Sequence, residues 1–121
     1  MSKENLASDL MQFTGTCHYY RWSVMYPKCL LTDGTKYLAE TAGAYWLMDV
    51  VASYLGKYGD VFGVATLKRK NGDAFTFTLD DGNGNVHATQ EIEFSDSPLD
   101  SIKLYVCWDT QNWTLMLTSE Y

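Results

Sequence analysis

Positive charge is scarce in this sequence: nine lysine and arginine residues stand against fifteen aspartate and glutamate residues, which gives a formal net charge of −6. Proteins that contact a nucleic-acid backbone need a surface rich in lysine and arginine, so the composition argues against direct binding of nucleic acid. The scarcity is most pronounced between Asn71 and Ile102, where the chain has no lysine or arginine. We therefore predict a negatively charged surface in this part of the protein.

Carboxylates are concentrated in the same cation-free stretch. They are Asp73, Asp80, Asp81, Glu91, Glu93, Asp96 and Asp100. A carboxylate-rich surface attracts lysine and arginine residues of a partner through electrostatic complementarity. The residues that we predict to bind a partner are Asp80, Asp81, Glu91, Glu93, Asp96 and Asp100.

Cysteine is also scarce, and the three present, Cys17, Cys29 and Cys107, are widely spaced. Because this odd, scattered set does not form a disulfide framework, we expect free thiols in a reducing compartment. The chain has no Cys-x-x-Cys or His-x-x-x-His pair, so we expect no zinc site and no cofactor. Its apolar runs are too short for a signal peptide or a membrane span, which predicts a cytoplasmic protein without membrane contact.

One long apolar helix is predicted at Thr41–Gly56, where apolar residues recur at the spacing of one helical face. Thr41 is placed to cap its first turn, and Gly56 is placed to end it at positive φ. A shorter helix is predicted from Ser2 to about Gln12. A helix as apolar as Thr41–Gly56 is expected to pack against a sheet.

The rest of the chain is predicted to form strands. Asp33-Gly34 suits a type I′ turn and predicts a hairpin over Cys29–Glu40, although the segment from Thr35 can also be interpreted as an early helical turn. Asn71-Gly72 predicts a second hairpin. Its strands and the three that follow are Phe62–Lys70, Ala74–Asp80, Val86–Phe94, Ile102–Trp108 and Trp113–Thr118. The prediction is one α+β domain over residues 1–121, with an antiparallel sheet (N-terminal hairpin plus C-terminal meander) packed against one main helix.

Apolar and polar side chains alternate in two of the predicted strands. The residues expected to face the core are Phe75, Phe77 and Leu79 in the first strand, and Val86, Ala88, Ile92 and Phe94 in the second. The opposite face of the second strand is expected to carry His87, Thr89, Glu91 and Glu93. Glu91 and Glu93 would lie about 7 Å apart, a spacing that acid–base catalysis can use. Any solvated strand has such a face, so we predict no catalytic residue and no enzyme activity.

A second hypothesis places a small-molecule pocket between the main helix and the sheet, lined by Tyr45, Trp46 and Asp49. Asp49 is the one acid of the apolar helix, and we expect it to be part-buried and hydrogen-bonded. The chain would then be a ligand-binding module or an enzyme. An aromatic surface would also suit a homodimer.

Three segments carry a distinctive pattern: FTGTCHYY at 13–20, LLTDGTKYLAE at 30–40 and AGAYWLMDVVAS at 42–53. With them the chain resembles a family of small uncharacterised proteins of bacteria, phages and plasmids. The segments QEIEFSDSPLDSIKLYV (90–106) and SEY (119–121) are similar too. The family has no known reaction, so the resemblance implies no catalytic residue. It implies a protein of a mobile element, and short proteins of mobile elements often bind and block a host protein.

These observations together predict a small, acidic, cytoplasmic binding protein without catalytic activity. Its expected partner is a host protein or nucleoprotein complex, and its expected effect is to inhibit a host or anti-phage defence complex, in the manner of anti-CRISPR proteins. Many such complexes hold nucleic acid in basic channels. The carboxylate-rich face would compete for the lysine and arginine residues of those channels.

Overall fold

The computed structural model describes residues 10–13, 18–23, 26–42, 44–55, 61–95 and 99–120. In these residues the chain forms a seven-stranded β-sheet and two α-helices, so the predicted α+β class is confirmed. The strands are β1 (Tyr20–Ser23), β2 (Tyr26–Leu31), β3 (Phe62–Asn71), β4 (Ala74–Asp80), β5 (Val86–Ile92), β6 (Ser101–Trp108) and β7 (Trp113–Leu117). The helices are α1 (Asp33–Thr41) and α2 (Tyr45–Tyr54), and a 3₁₀ turn, Thr118–Glu120, follows β7.

The sheet has the strand order β1-β2-β7-β6-β3-β4-β5. Neighbouring strands are antiparallel, except that β2 and β7 are parallel, with Leu31 opposite Leu115. The predicted sheet, a hairpin and a meander that are both antiparallel, is therefore incomplete. Because β7 pairs with β2 on one side and β6 on the other, it joins both halves of the chain into one sheet.

The predicted hairpin over Cys29–Glu40 is wrong, because Asp33 begins helix α1 rather than a turn, and β2 pairs with β1 instead. Thr32 is the N-cap of α1, with φ −82° and ψ 174°, and its hydroxyl oxygen accepts a hydrogen bond from the Thr35 backbone N–H. The Thr35 hydroxyl oxygen accepts one from the Thr32 N–H, which completes a capping box. The alternative helical interpretation of this segment is closer to the structure, although α1 is a separate helix.

The predicted long helix Thr41–Gly56 is shorter in the structure, where α2 has ten residues. Thr41 is the last residue of α1, and Ala44, whose side chain makes no capping hydrogen bond, is the N-cap of α2. The prediction that Thr41 caps this helix is therefore wrong. Gly56 and most of the predicted helix Ser2–Gln12 lie outside the described residues.

The β3–β4 hairpin is confirmed, with its turn one residue later than predicted. Asn71 still pairs with β4, so the turn begins at Gly72, which adopts a φ of +54° that glycine tolerates well. The expected burial on β4 is also confirmed. Its apolar residues Phe75, Phe77 and Leu79 are at most 3% exposed.

Both helices pack on one face of the sheet through fully buried side chains. The helices contribute Leu38, Leu47, Met48 and Val51, and the sheet contributes Leu67, Phe75, Phe77, Leu104 and Leu115. Burying a side chain of this size stabilises the fold by about 1.5–3 kcal/mol. The helix–sheet interface is therefore a main source of the free energy of folding.

Candidate functional site

Two of the predicted carboxylates, Asp80 and Asp81, build the turn between β4 and β5. Asp80 Oδ1 accepts a hydrogen bond from the Gly82 N–H at 2.7 Å. Asp81 Oδ1 accepts hydrogen bonds from the Asn83 N–H at 2.8 Å and the Asn85 N–H at 3.2 Å, and Asn85 Nδ2 donates to Asp81 Oδ2 at 2.7 Å. The side-chain bond from Asn85 and the backbone bond from Asn83 lower the pKa of Asp81. Asp81 therefore remains charged to a lower pH than an ordinary aspartate.

Glu91 and Glu93 lie at the other end of this hairpin. Glu91 is directly opposite Thr76 on β4, and the Thr76 hydroxyl lies 3.3 Å from Glu91 Oε2. The Lys70 ammonium is 3.4 Å from the same oxygen, and both side chains of this ion pair are 56% exposed. Glu93 follows the end of β5 and is exposed. This end of the hairpin carries exposed carboxylates beside cations of β3, because Lys70 pairs with Glu91 and the exposed Lys68 lies opposite Thr76.

Asp100 is bound in a different arrangement from the hairpin carboxylates. Its Oδ1 atom accepts a hydrogen bond from Arg69 Nε at 2.8 Å. The Arg69 guanidinium also donates to the Gly72 carbonyl and lies 4.6 Å from the centre of the Phe75 ring. Asp100 therefore holds Arg69 in place over the hairpin turn. The sixth predicted residue, Asp96, lies outside the described residues.

The hairpin carboxylates form two groups rather than one cluster. Asp80 and Thr76 are four residues apart on β4, which is about 13 Å along a strand and places Asp80 and Glu91 at the two ends of one sheet face. Between the two groups, Thr78 lies opposite Thr89. This geometry suits charge attraction along an extended partner. It does not suit chelation, and the described part of the chain contains no group of three residues that could hold a metal ion.

The predicted apolar face of β5 is only partly present. Ala88 and Ile92 pack against the core as expected. A shift of the register between Leu79 and Asp80 places Val86 opposite Asp80, on the other face of the sheet. Val86 is 57% exposed and Phe94, beyond the end of β5, is 70% exposed. The prediction that these two residues face the core is therefore wrong. The bulge turns the Val86 side chain to the opposite face of the sheet, and β5 ends before it reaches Phe94.

Two of the three residues of the second predicted site face away from the core. Tyr45 is 48% exposed, and Asp49 is exposed on the outer side of α2. Trp46 packs against the core, while Leu47 and Met48 fill the helix–sheet interface at no more than 1% exposure. The expectation that Asp49 is part-buried is wrong, because the helix turns its fully apolar stripe to the sheet and Asp49 to solvent.

The structure reveals a polar junction that the sequence reasoning did not find. The Thr32 hydroxyl donates to Glu120 Oε1 at 2.6 Å, and the Gly34 N–H donates to Glu120 Oε2 at 3.1 Å. The Leu117 N–H donates to Glu120 Oε1 at 3.0 Å, and the Thr35 hydroxyl donates to the Leu115 carbonyl at 2.8 Å. The only signal for this junction in the sequence was that its two halves, TDG at 32–34 and SEY at 119–121, both belong to the segments that resemble the family.

A second polar group lies beside this junction. The Tyr20 hydroxyl donates to Asp33 Oδ1 at 3.0 Å. The Lys36 ammonium lies 4.7 Å from the centre of the Tyr20 ring and 2.9 Å from Glu40 Oε1. The hydrogen bond to Asp33 raises the pKa of Tyr20, so its phenol stays protonated to a higher pH than that of an ordinary tyrosine. This group stabilises α1 against β1 and is poorly suited to act as a general base.

The described thiols are poor nucleophiles. Cys29 is buried, and burial raises its pKa to about 11. Burial also raises the pKa of Cys107, which is half-buried. A thiol reacts through its thiolate, which is a minor species of both residues at neutral pH. Cys17 lies outside the described residues.

Comparison with known proteins gives a family without a described activity. Neither helix of the described residues is long and apolar enough to cross a membrane. No curated protein and no solved structure matches the chain. The resemblance to a family of uncharacterised proteins is confirmed, since the match extends over residues 4–121. The chain belongs to the family of unknown function DUF6876.

Proposed function

We propose that the chain is a non-catalytic binding protein that engages a basic partner protein through the carboxylates at the two ends of the β4–β5 hairpin. One observation carries the proposal. The stretch without lysine or arginine contains the hairpin at the edge of the sheet, with Glu91 and Glu93 exposed at one end and Asp80 and Asp81 in the turn at the other. The negative charge is thus placed where another protein can reach it.

The local cation at this surface is easily exchanged. Lys70 and Glu91 are both 56% exposed and 3.4 Å apart. Ion pairs of this kind contribute only about 0–1 kcal/mol, because water and side-chain entropy offset the attraction. A lysine or arginine of a partner can therefore replace Lys70 beside Glu91 at little cost in free energy.

The partner class that fits this surface is a protein with a lysine- and arginine-rich site for nucleic acid. A host or anti-phage defence nucleoprotein complex has such a site in its basic channel. An acidic protein of this size would occupy the channel and exclude the nucleic acid, as an anti-CRISPR protein does. Attraction between exposed charges weakens as salt screens them, so binding should be strongest at low ionic strength.

The proposal is tested by capture of the partner with three charge-matched double variants. Two of them neutralise the hairpin: Asp80→Asn with Asp81→Asn, and Glu91→Gln with Glu93→Gln. The control is Glu40→Gln with Asp49→Asn on the helices. Each double removes two of the fifteen carboxylates and changes the net charge from −6 to −4. The Asn substitutions keep a side-chain oxygen that can accept the hydrogen bonds of the turn.

We expect the parent protein to retain a defined partner complex from host lysate at low salt and to release it at high salt. Each hairpin double should bind about tenfold more weakly than the control double, since each exposed charge pair contributes up to about 1 kcal/mol. The free energy of unfolding of the Glu91/Glu93 double should stay within about 0.5 kcal/mol of the parent. Equal loss in all three doubles, or no loss in the hairpin doubles, would remove the proposal.

A further inference from the structure

We infer that β5 binds its partner by strand addition, and that the bound segment is an extended stretch in which basic and apolar residues alternate. This inference rests on the proposed function and specifies how the partner is held. The strand order ends at β5, so one side of the strand pairs with β4 and the other side has no neighbour among the described strands. An edge of this kind offers backbone N–H and C=O groups to an added strand.

β5 lacks the residues that protect many natural edge strands, so its composition favours the addition of a strand. Sheet edges are often protected by lysine, proline or very short length. β5 has seven residues and contains neither lysine nor proline. The opposite edge of the same sheet, β1, has only four residues, and each edge strand has one irregularity in its pairing with its neighbour. Of the two edges, β5 is therefore the better template.

Two exposed apolar residues mark the ends of the surface. Val86 is 57% exposed at the start of β5, and Phe94 is 70% exposed just after its end. The six residue steps of β5, from Val86 to Ile92, correspond to about 20 Å of extended chain. Val86 shares its face with Glu91, so the aliphatic stem of a partner lysine or arginine can cover it, and an apolar side chain can cover Phe94. Removal of their apolar area from water would add to the backbone hydrogen bonds.

The two faces of β5 determine the chemistry of the added strand. One face carries Glu91 and Thr89, which lie opposite Thr76 and Thr78 on β4. The other face carries the half-buried Ala88 and Ile92 at the edge of the core, with Gln90 between them, whose side-chain oxygen accepts a hydrogen bond from the Tyr54 hydroxyl at 2.8 Å. Residues directly opposite on neighbouring strands share a face, so an added strand would place lysine or arginine beside Glu91 and apolar residues beside Ala88 and Ile92. A second copy of this chain is a poorer occupant, because each copy carries a net charge of −6.

The test is an NMR titration of the isotope-labelled full chain with a capped peptide of about eight residues in which lysine and valine alternate. One control peptide has the same composition with the lysines and valines in separate blocks, and another replaces lysine by glutamate. We expect amide shift changes concentrated in residues 86–94 and nuclear Overhauser contacts between the peptide backbone and β5. The Glu91→Gln with Glu93→Gln double should bind the peptide about fivefold more weakly, whereas Glu40→Gln with Asp49→Asn should bind it like the parent.

The outcomes separate strand addition from the broader proposal. If the block peptide binds as well as the alternating one, or if contacts fall on the 80–85 turn without reaching the β5 backbone, strand addition is wrong and charge-based partner binding still stands. If no peptide binds but a partner is still captured in a salt-sensitive way, strand addition is likewise wrong and charge-based partner binding still stands. If β5 amides are protected without peptide while the molecular mass doubles, the edge belongs to a second copy, and the inference is overturned.

Discussion

The junction at the start of α1 and the β4–β5 hairpin use carboxylates in opposite ways. At the junction, one carboxylate from Glu120 accepts hydrogen bonds from Thr32, Gly34 and Leu117, next to threonines that are at most 1% exposed. At the hairpin, Glu91 and Glu93 are exposed, and Glu91 contacts the surface side chains of Lys70 and Thr76. The first arrangement joins distant parts of the chain, and the second presents charge outward.

This difference indicates which carboxylates the fold depends on. A carboxylate that accepts hydrogen bonds from N–H and O–H groups in a part-buried site leaves those groups unpaired when it is removed. The unpaired groups lower the free energy of unfolding. An exposed carboxylate loses only a weak, solvent-screened attraction. Substitutions at the junction should therefore change stability, and substitutions of the exposed Glu91 and Glu93 should change binding. Variants of Glu120, Gly34 and Asp81 test this division.

The largest expected effect is that of Glu120→Ala, which should lower the free energy of unfolding by about 3 kcal/mol. The variant leaves the Thr32 hydroxyl and the Gly34 and Leu117 N–H groups without their acceptor. Glu120→Gln keeps one acceptor oxygen, so its free energy of unfolding should fall by about half as much. Urea unfolding of both variants measures these changes in the free energy of unfolding. A loss below about 0.5 kcal/mol for Glu120→Ala would mean that the junction is not a structural element.

A somewhat smaller effect is expected for Gly34→Ala, about 2 kcal/mol, because the site is already fully packed. A Cβ atom at Gly34 would lie 2.5 Å from Leu117 Cδ1 and would also overlap the Glu120 carboxylate. In the Glu120→Ala background, Gly34→Ala should lower the free energy of unfolding by about 1 kcal/mol less, since the overlap with the Glu120 carboxylate is gone. A double-mutant cycle by thermal or urea unfolding tests this coupling, and strict additivity would contradict it.

The smallest effect concerns Asp81→Ala in the hairpin turn and depends on pH. The pKa of Asp81 is lowered from 3.8, so the unfolded chain takes up this proton at a higher pH than the folded chain. The stabilisation is therefore present above pH 3.8 and is lost as the pH falls through the lowered pKa. We expect the parent to melt slightly above the variant at pH 7 and the difference to vanish in acid. Asn83→Ala, in the same turn, should give a difference that does not change with pH.

Much of the fold could be predicted from local patterns in the sequence. The alternation of Phe75, Phe77 and Leu79 identified the buried face of β4, and Asn71-Gly72 located the hairpin to within one residue. Both signals are local, because strand periodicity and turn geometry depend on neighbouring residues. The concentration of carboxylates was also visible in the sequence, since it needs only a count of residues.

The start of α1 could not be decided from local patterns. Asp33-Gly34 is compatible with both a hairpin turn and the first turn of a helix. Two features favour the helix: burial of Thr35 and Leu38, which are less than 1% exposed, and the contact of Thr32 with Glu120, 88 residues away. A contact over that distance leaves no periodic trace in the sequence.

The α+β class, the buried side chains of β4 and the acidity of the 71–102 stretch follow from local sequence, because each depends on residue type and short spacing. Three features became visible only in the folded chain: the parallel pairing of β2 with β7, the placement of Glu120 against α1 and the division of the carboxylates into two groups. These features depend on which distant strands become neighbours. That choice follows from burying one shared apolar face beneath both helices, and local sequence does not encode it.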